Sequence, residues 1–577
     1  MPVLISLILL LLAFIATPVF TRLLGRNAGW ILAAFYIAAA AAQAPAAGAV
    51  VAGERTAWSL DWLPALGIRL AFAADGLGLV FSFLTLLIGA AVFIYSTRYL
   101  PIGRNHAFYQ MMTAFTLSMQ ALVLADDLVV LFICWELTSL ASFLLIACAG
   151  KSGEGASMRT LLITFAGGVL LLLAVAAIWW RTGTTSLSLV FGHEVWASDP
   201  GFTTLIAVLI ALAGFTKAAQ FPFHVWLPDA MAAITPVSAY LHAAAVVKAG
   251  IFLLLRFSPV FHDTPAWNGL LVASGLITTC IGGYFALEQT DVKRLMAYST
   301  VSQLGLLTAS IGLGTEAGIV AAVLHTIAHA LFKSGLFMMV GVDHATDTRD
   351  LRRFPPKLYR RMPFSFAVMA LGCASMAGIP PMLGFVSKEA IFAALLGGPE
   401  ASWTGWVAFL VATVGSVLTF AYCARALLGI FFDGMDEERP VHMHDPLLVG
   451  SAALPILVSV PLAAWLAGVA GSVRLAAEAA TGRPAHIHLA LWHGLGPELY
   501  ATAAIVFLGI LVVLQRKRLI GWILQHRFPL DGAKVMWHLT DWTRRFGSLQ
   551  ARAVGSDTPT RHVIPILGAL GVLGVLG

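Results

Sequence analysis

Charge is scarce in this 577-residue sequence. Asp, Glu, Lys and Arg make up 11% of it, whereas hydrophobic residues make up 59%. A water-soluble fold cannot hide that much apolar surface, so the composition excludes a soluble globular domain and indicates an integral membrane protein. Cysteine is scarce too. Cys134, Cys148, Cys280, Cys373 and Cys423 stand singly inside apolar runs, with no CxxC pair and no metal spacing. That pattern excludes a disulfide framework and leaves packing as their default role. No Gly-rich phosphate loop, HExxH or GxSxG occurs, and the polar loops are too short to fold as a separate domain. Any chemistry must sit inside the membrane, and no cofactor or metal centre is expected.

Long apolar runs are what the sequence has instead. A bilayer core of about 30 Å needs about 20 apolar residues per helix. Such runs recur from Val3 to Leu519 with short polar breaks, giving about fifteen spans at that length. The first, near residues 3–20, lacks a basic n-region and a clear small-residue cleavage site, so it reads as the first helix and not as a signal peptide.

The formal net charge is +6. In a soluble protein this would suggest nucleic acid; here it is a topology signal, because the basic residues fall in alternate loops. Arg22 and Arg26, Arg98 and Arg104, Lys151 and Arg159, Lys293 and Arg294, the cluster Arg349, Arg352, Arg353, Lys357, Arg360 and Arg361, and Arg516, Lys517 and Arg518 share one side. Arg55, Arg181, Arg256 and Arg474 are scattered on the other. By the positive-inside rule the amino terminus is outside and the odd-numbered loops are cytoplasmic.

A charge at membrane depth costs about 2.5 to 3.5 kcal/mol even on the lenient insertion scale, so each needs a partner or a function. In LVVLFICWELTSLASFLLIACA, residues 128–149, Glu136 is the only charge. The plain alternative is a carboxylate tied down by Thr138, Ser139 or a neighbouring helix. In GFTKAAQFPFHVWLPDA, residues 214–230, Lys217 ends an apolar run, and Pro222 and Pro228 stop the helix from continuing. Irregular backbone at that depth is tolerated only beside protein or a water-filled cavity, and broken helices in transporters mark binding regions. A lysine snorkelling to the interface is the alternative.

PVSAYLHAAAVVKAGIFLLL, residues 236–255, carries His242 and Lys248 in one span. Six residues place them about 240° apart on a helix, so they need not share a cavity. In IVAAVLHTIAHALFKSGLFMMV, residues 319–340, His325, His329 and Lys333 recur every four residues. They drift only about 80° over roughly 12 Å of rise, which makes a titratable stripe on one face. A neutral imidazole donates and accepts, so a stacked pair with water between can pass protons. A metal site is disfavoured, because an ammonium is a poor ligand and no carboxylate shares the face. In CASMAGIPPMLGFVSKEAIFAALL, residues 373–396, a Gly-Ile-Pro-Pro break precedes Lys388 and Glu389. This repeats the arrangement around Lys217 and suggests paired structural repeats.

WELTS at 135–139, GFTKAAQFPFHVWLPDAM at 214–231, TPVSAYLHAAAVVKAG at 235–250, DVKRLMAYSTVSQLG at 291–305, HALFKSGLF at 329–337 and GFVSKEAIF at 384–392 resemble the antiporter-type subunits of respiratory complex I and the Mrp cation/proton antiporters. The likeness runs in order over residues 65–430. VVKAGIFLLLRFSPVF and VDHATDTRDLRR look most like the A-type Mrp subunits. The resemblance implies an all-α polytopic fold of 14–16 transmembrane helices, with two inverted five-helix repeats, each containing a broken helix, and flanking helices. The implied boundaries are flanking helices at 1–105, repeats at 106–255 and 265–432, further flanking helices at 433–523, an amphipathic segment at 524–561 and the start of another span at 562–577.

Carried over residue by residue, the resemblance implies a pair, Glu136 with Lys217, a central relay of His242, His325, His329 and Lys333, and a far-side Lys388. Lys248 matches the Mrp pattern, where the related complex I subunit is uncharged. Two departures also favour Mrp. TFAGGVLLL puts Gly167 and Gly168 where the largest complex I subunit of this type has an acidic residue. In place of a very long lateral helix there is only WHLTDWTRRFGSLQARA, reaching about 25 Å. The apolar run VIPILGALGVLGVLG, residues 563–577, is only about 22 Å as a helix, so the natural chain is expected to continue into a further membrane domain.

The implied function is proton translocation within a multisubunit Na+/H+ antiporter of a bacterial cytoplasmic membrane, without covalent catalysis. Other Mrp-type subunits, protons, Na+ and lipid are the partners, and nucleic acid is not. In the expected mechanism, opening and closing of the Glu136–Lys217 pair switches Lys217 between holding and releasing a proton, which then passes along the histidines toward Lys333 and Lys388. A redox-driven pump component, as in complex I or membrane hydrogenases, would use the same residues with iron-sulfur or quinone partners. A multi-span enzyme or scaffold with purely structural buried charges is a third reading.

Overall fold

The computed structural model describes residues 1–397, 402–442, 445–487, 489–491, 494–525, 538, 541–542 and 544–549. Contacts divide the chain into two compact units, Met1–Gln525 and His526–Gly577.

Among its described residues the first unit is helical apart from one hairpin. Helices α1 (Pro2–Leu24) and α2 (Ala28–Ala42) pack on each other across a tight turn at Gly25–Asn27. Strands β1 (Thr56–Leu63) and β2 (Ile68–Ala74) pair antiparallel from Thr56 opposite Ala74 to Leu63 opposite Ile68. The all-helical reading of the sequence does not include this hairpin. There follow α3 (Gly76–Tyr99), α4 (His106–Val123), α5 (Leu128–Ala147), α6 (Lys151–Thr182), α7 (Pro200–Lys217) and the short α8 (Trp226–Asp229). After these come α9 (Thr235–Ala243), α10 (Val246–Phe261), α11 (Pro265–Glu288), α12 (Val292–Ile311) and α13 (Glu316–Met339). The last are α14 (Pro363–Ala377), α15 (Leu383–Leu396), α16 (Trp403–Phe431), α17 (Pro446–Ala464), α18 (Leu466–Thr481) and α19 (Pro497–Leu514).

Among the described residues, eleven stretches are long and apolar enough to cross a membrane. The first of them, Pro2–Val51, contains the α1/α2 hairpin. Many helices begin where a short polar side chain accepts from an otherwise orphaned backbone N–H. Asp75 accepts from Gly78 N at 2.8 Å, Asp127 from Val129 N at 2.8 Å, Asp199 from Phe202 N at 3.0 Å and Asp291 from Arg294 N at 3.0 Å.

Burial grades from the rim to the centre. Only 33% of the first stretch is buried, and Ile5, Ile8, Leu11, Leu12 and Ile15 face outward, as lipid-facing residues do. By contrast the 18-residue apolar windows of α13 and of Thr235–Phe261 are 94% and 89% buried. Helices α9, α12, α14, α15 and α17 surround α13. The histidine stripe therefore occupies the axis of the bundle. Beside it, α11 and α12 touch backbone to backbone: a Cβ on Gly275 would meet Ala309 N at 2.5 Å, and one on Gly305 would meet Thr279 N at 2.5 Å. Small residues at such a seam give close packing where lipid offers no hydrophobic drive.

In the second unit the described residues are helical at 538, 541–542 and 544–549, with an Arg545–Asp541 ion pair at 2.8 Å. The rest of the expected 537–553 helix, and the run 563–577, lie outside the described residues.

Candidate functional site

Three helix breaks organise the interior. Helix α7 stops at Lys217, Ala219 enters the left-handed region at φ 50°, and helix resumes beyond Pro222. The backbone freed here is satisfied by protein: the Trp226 indole donates to Thr216 O at 2.7 Å, and Phe221 N donates to Thr278 Oγ1 at 2.9 Å. Helix α14 stops at Ala377, and Gly378 takes φ +79° before the Pro380–Pro381 pair. A Cβ on Gly378 would also sit 2.9 Å from Lys388 Cδ, so glycine serves both the turn and the lysine. The third break has no proline or glycine. The chain leaves helix between Ala243 and Val246, with Ala245 at φ −118°, ψ −104°, and the Thr85 hydroxyl donates to Ala244 O at 3.3 Å. The span read as continuous over 236–255 is thus two helices, α9 carrying His242 and α10 carrying Lys248, and the 240° separation does not apply.

Lys217 is fully buried. Its ammonium donates to Trp135 O and Thr138 Oγ1 and lies 4.1 Å from the Trp135 ring centroid. Glu136, the next residue after Trp135, makes no direct ion pair with it. The carboxylate turns instead toward α6, where a Cβ on Gly168 would fall 1.7 Å from Oε1, and Oε1 has no hydrogen-bond partner among the described residues. Gly167 makes the same room for Thr216, whose Oγ1 would be 1.9 Å from a Cβ there. The glycine pair noted only as a departure from complex I is therefore a notch that admits the carboxylate.

Lys333 repeats the Lys217 cradle on another helix. It donates to Met296 O at 3.1 Å and to Ser299 Oγ, with the Phe337 ring 5.5 Å away. In both cradles the hydroxyl three residues on also donates to the same carbonyl: Thr138 to Trp135 O at 2.8 Å, Ser299 to Met296 O at 2.9 Å. Lys388 donates to Ala377 O at 3.4 Å, at the carboxyl end of α14. A cation there complements the helix dipole.

His242, His325 and His329 are fully buried. His325 Nδ1 meets Ser387 Oγ at 2.9 Å, and the His325 and His329 rings are 6.4 Å apart. His325 Nε2, both nitrogens of His242 and His329, and Lys248 Nζ have no hydrogen-bond partner among the described residues. His325, His329 and Lys333 share α13, and α9 with His242 and α15 with Lys388 pack against that helix. Glu136 and Lys217 sense each other as a separate pair.

Sequence reasoning missed Lys293, taken there as a loop charge. It is 1% exposed and donates to Ala233 O and Met231 O. The available signal was its place two residues after the Asp291 cap, three residues ahead of Met296 on α12.

Comparison with known proteins identifies the fold and the family. Solved structures give the fold: the chain superposes on the Mrp complex from Dietzia sp. DQ12-45-1b with a TM-score of 0.90 at 44% identity, over 100% of this chain and 63% of that one. The membrane-bound sulfane sulfur reductase, an archaeal respiratory membrane complex, shares the fold alone, with a TM-score of 0.72 at 22% identity over 83% of this chain and 97% of that one. The A-type subunit of the Na(+)/H(+) antiporter of Alkalihalophilus pseudofirmus (strain ATCC BAA-2126 / JCM 17055 / OF4) is 39% identical over 495 residues, 80% of this chain and 61% of that protein. The chain thus spans about three fifths of these Mrp-type relatives. Residues 125–419, which hold every buried lysine and histidine of the site, match the family described as NADH:quinone oxidoreductase/Mrp antiporter, TM, and this chain is a member of that family.

Proposed function

We propose that this chain is the proton-translocating part of a multisubunit Na+/H+ antiporter, working with other Mrp-type subunits in a bacterial cytoplasmic membrane. The observation that carries the reading is the set of buried groups Lys248, His242, His329, His325, Lys333 and Lys388, three of them on α13, with the helices of His242 and Lys388 packed against it. Buried polar atoms without partners are costly, and a run of them is retained where protons are handed on through water. The named relatives add support, because one is the A-type component of a Na(+)/H(+) antiporter and another is a chain of an Mrp complex.

Glu136 and Lys217 supply the switch. With the carboxylate near, the ammonium is held; as the carboxylate moves away, the buried amine releases its proton toward the relay. The charge left behind acts on sodium movement elsewhere in the assembly. The repeats at 106–255 and 265–432 each contribute one broken helix, α7/α8 and α14/α15, so the two halves work in series. The basic loops face the cytoplasm and the amino terminus lies outside.

The test replaces His325 and His329 together by alanine, with all partner subunits present. Sodium-dependent dissipation of a pH gradient in everted vesicles is expected to fall about a hundredfold or more, the scale of a lost proton-transfer group. Normal exchange by a folded double variant would sink the proposal.

A further inference from the structure

The break between α9 and α10 has no local cause. Residues 243–249 read AAAVVKA, without proline or glycine, and alanine is the best helix former. What holds the chain open comes from another helix. In an unbroken helix Lys248 N would donate to Ala244 O, four residues back. Here Lys248 N donates to Ala245 O at 2.9 Å instead, and Ala249 N donates to the same carbonyl at 3.0 Å. The carbonyl that Lys248 gives up is the one that the Thr85 hydroxyl of α3 reaches, at 3.3 Å. Thr85 and the backbone of Lys248 therefore compete for one acceptor.

The same hydroxyl lies 2.7 Å from Phe81 O on its own helix. It carries one proton, so it serves one of the two carbonyls at a time. Tyr240 of α9 engages Thr85 from the other side: its hydroxyl donates to Thr85 O at 3.3 Å and meets Thr116 Oγ1 of α4 at 2.7 Å. Thr85, Thr116, Tyr240 and Ala244 are all buried. The open backbone is thus enclosed by protein, where it is tolerated at membrane depth.

We propose that Thr85 is a positioning residue for proton translocation: its hydroxyl holds α9 and α10 apart at Ala244 and so sets where Lys248 stands relative to His242. The inference rests on the proton-translocating reading above. With Ala244 O engaged by Thr85, α9 ends on the bond from Ala244 N to Tyr240 O at 3.1 Å, and α10 starts afresh on Ala245 O. When the hydroxyl turns to Phe81 O, Ala244 O is released to Lys248 N and the segment closes into one helix, which puts His242 and Lys248 about 240° apart. The turn leaves no unpaired hydroxyl, so the break is reversible.

The competing role is an ordinary tie between α3 and α9. The two roles predict opposite changes when the hydroxyl is removed. A cut tie loosens the segment, and its amides exchange faster; a removed spacer lets the helix rejoin, and they exchange more slowly. In the complete complex, Thr85→Val, which keeps the shape of the side chain, is expected to slow hydrogen exchange of the backbone amides over 245–249 severalfold, the scale of one hydrogen bond. Sodium-dependent dissipation of a pH gradient is expected to fall severalfold with it. Thr85→Ser keeps the hydroxyl and is expected to restore both. Faster or unchanged amide exchange in Thr85→Val overturns the proposal, as does a folded Thr85→Ser complex that behaves like Thr85→Val. If Thr85→Val fails to accumulate, Thr85→Ala is read by the same two measurements with the same outcomes. The His325→Ala/His329→Ala complex is measured in parallel. Normal transport by that variant means that the proton-translocating reading itself has failed; if it is inactive while the Thr85→Val complex transports normally, this inference alone has.

Discussion

The Glu136 carboxylate occupies the space that a side chain on Gly168 would need, 1.7 Å from where its Cβ would be. Helices α5 and α6 therefore fix the position of the acid by what α6 lacks. That notch keeps the carboxylate out of direct contact with Lys217, whose ammonium is held one residue earlier at Trp135 O. A separated pair suits a switch, because a locked ion pair at this depth would cost several kcal/mol to open.

Gly168→Ala is expected to displace the carboxylate without unfolding the protein. The clashing atom is the far end of a flexible side chain, and alanine gains about 1 kcal/mol of helix propensity over glycine. Melting temperature should be unchanged or slightly raised while sodium-dependent exchange falls severalfold. Gly471→Ala on α18, where a Cβ meets nothing, serves as the control and should leave exchange intact. Equal exchange in both variants would show that the placement of Glu136 is immaterial.

Glu136→Gln is expected to abolish exchange, and Glu136→Asp to keep part of it. The double variant Glu136→Gln with Lys217→Met should be inactive too, yet fold better than Glu136→Gln alone, because no buried charge is left without a counter-charge. Protein level, thermal stability and vesicle exchange are measured for the full cycle. Near-normal exchange by Glu136→Gln rules out the switch, and strictly additive stability effects show that the two residues act independently.

The paired lysine cradles make a matched prediction. Ser299→Ala removes one of the two protein acceptors of Lys333 and should cost about 1–3 kcal/mol of stability, the range for an under-satisfied buried donor. Thr138→Val should do the same at Lys217. Denaturation of the solubilised complex reads the loss. A difference below a few tenths of a kcal/mol at both sites would mean that water replaces the hydroxyl without penalty.

Topology is checked by single cysteines between Asp343 and Met362, the loop with the basic cluster Arg349, Arg352, Arg353, Lys357, Arg360 and Arg361. They should resist an impermeant thiol reagent in intact cells and react in everted vesicles. Labelling from outside intact cells would invert the orientation inferred from the positive-inside rule.

The sequence by itself determined which runs are apolar enough to span a membrane and where two of its helices break. Apolar runs and proline act locally, so α7 ends at Lys217 and α14 ends just before Gly378, as the residues require. The four-residue spacing of His325, His329 and Lys333 placed them on one face of α13, because helical geometry is also local. Only the tertiary structure decided what each charge meets. Nothing near Ala244 in the sequence marks a break; the Thr85 hydroxyl on α3 supplies a partner there. Nothing near Lys293 marks it as buried; the turn after α8 closes over it. Glu136 and Gly168 belong to different helices, as do Lys333 and Ser299. The partner of a side chain is set by how helices distant in sequence pack, and a periodicity read along one helix carries no information about the surface of the next.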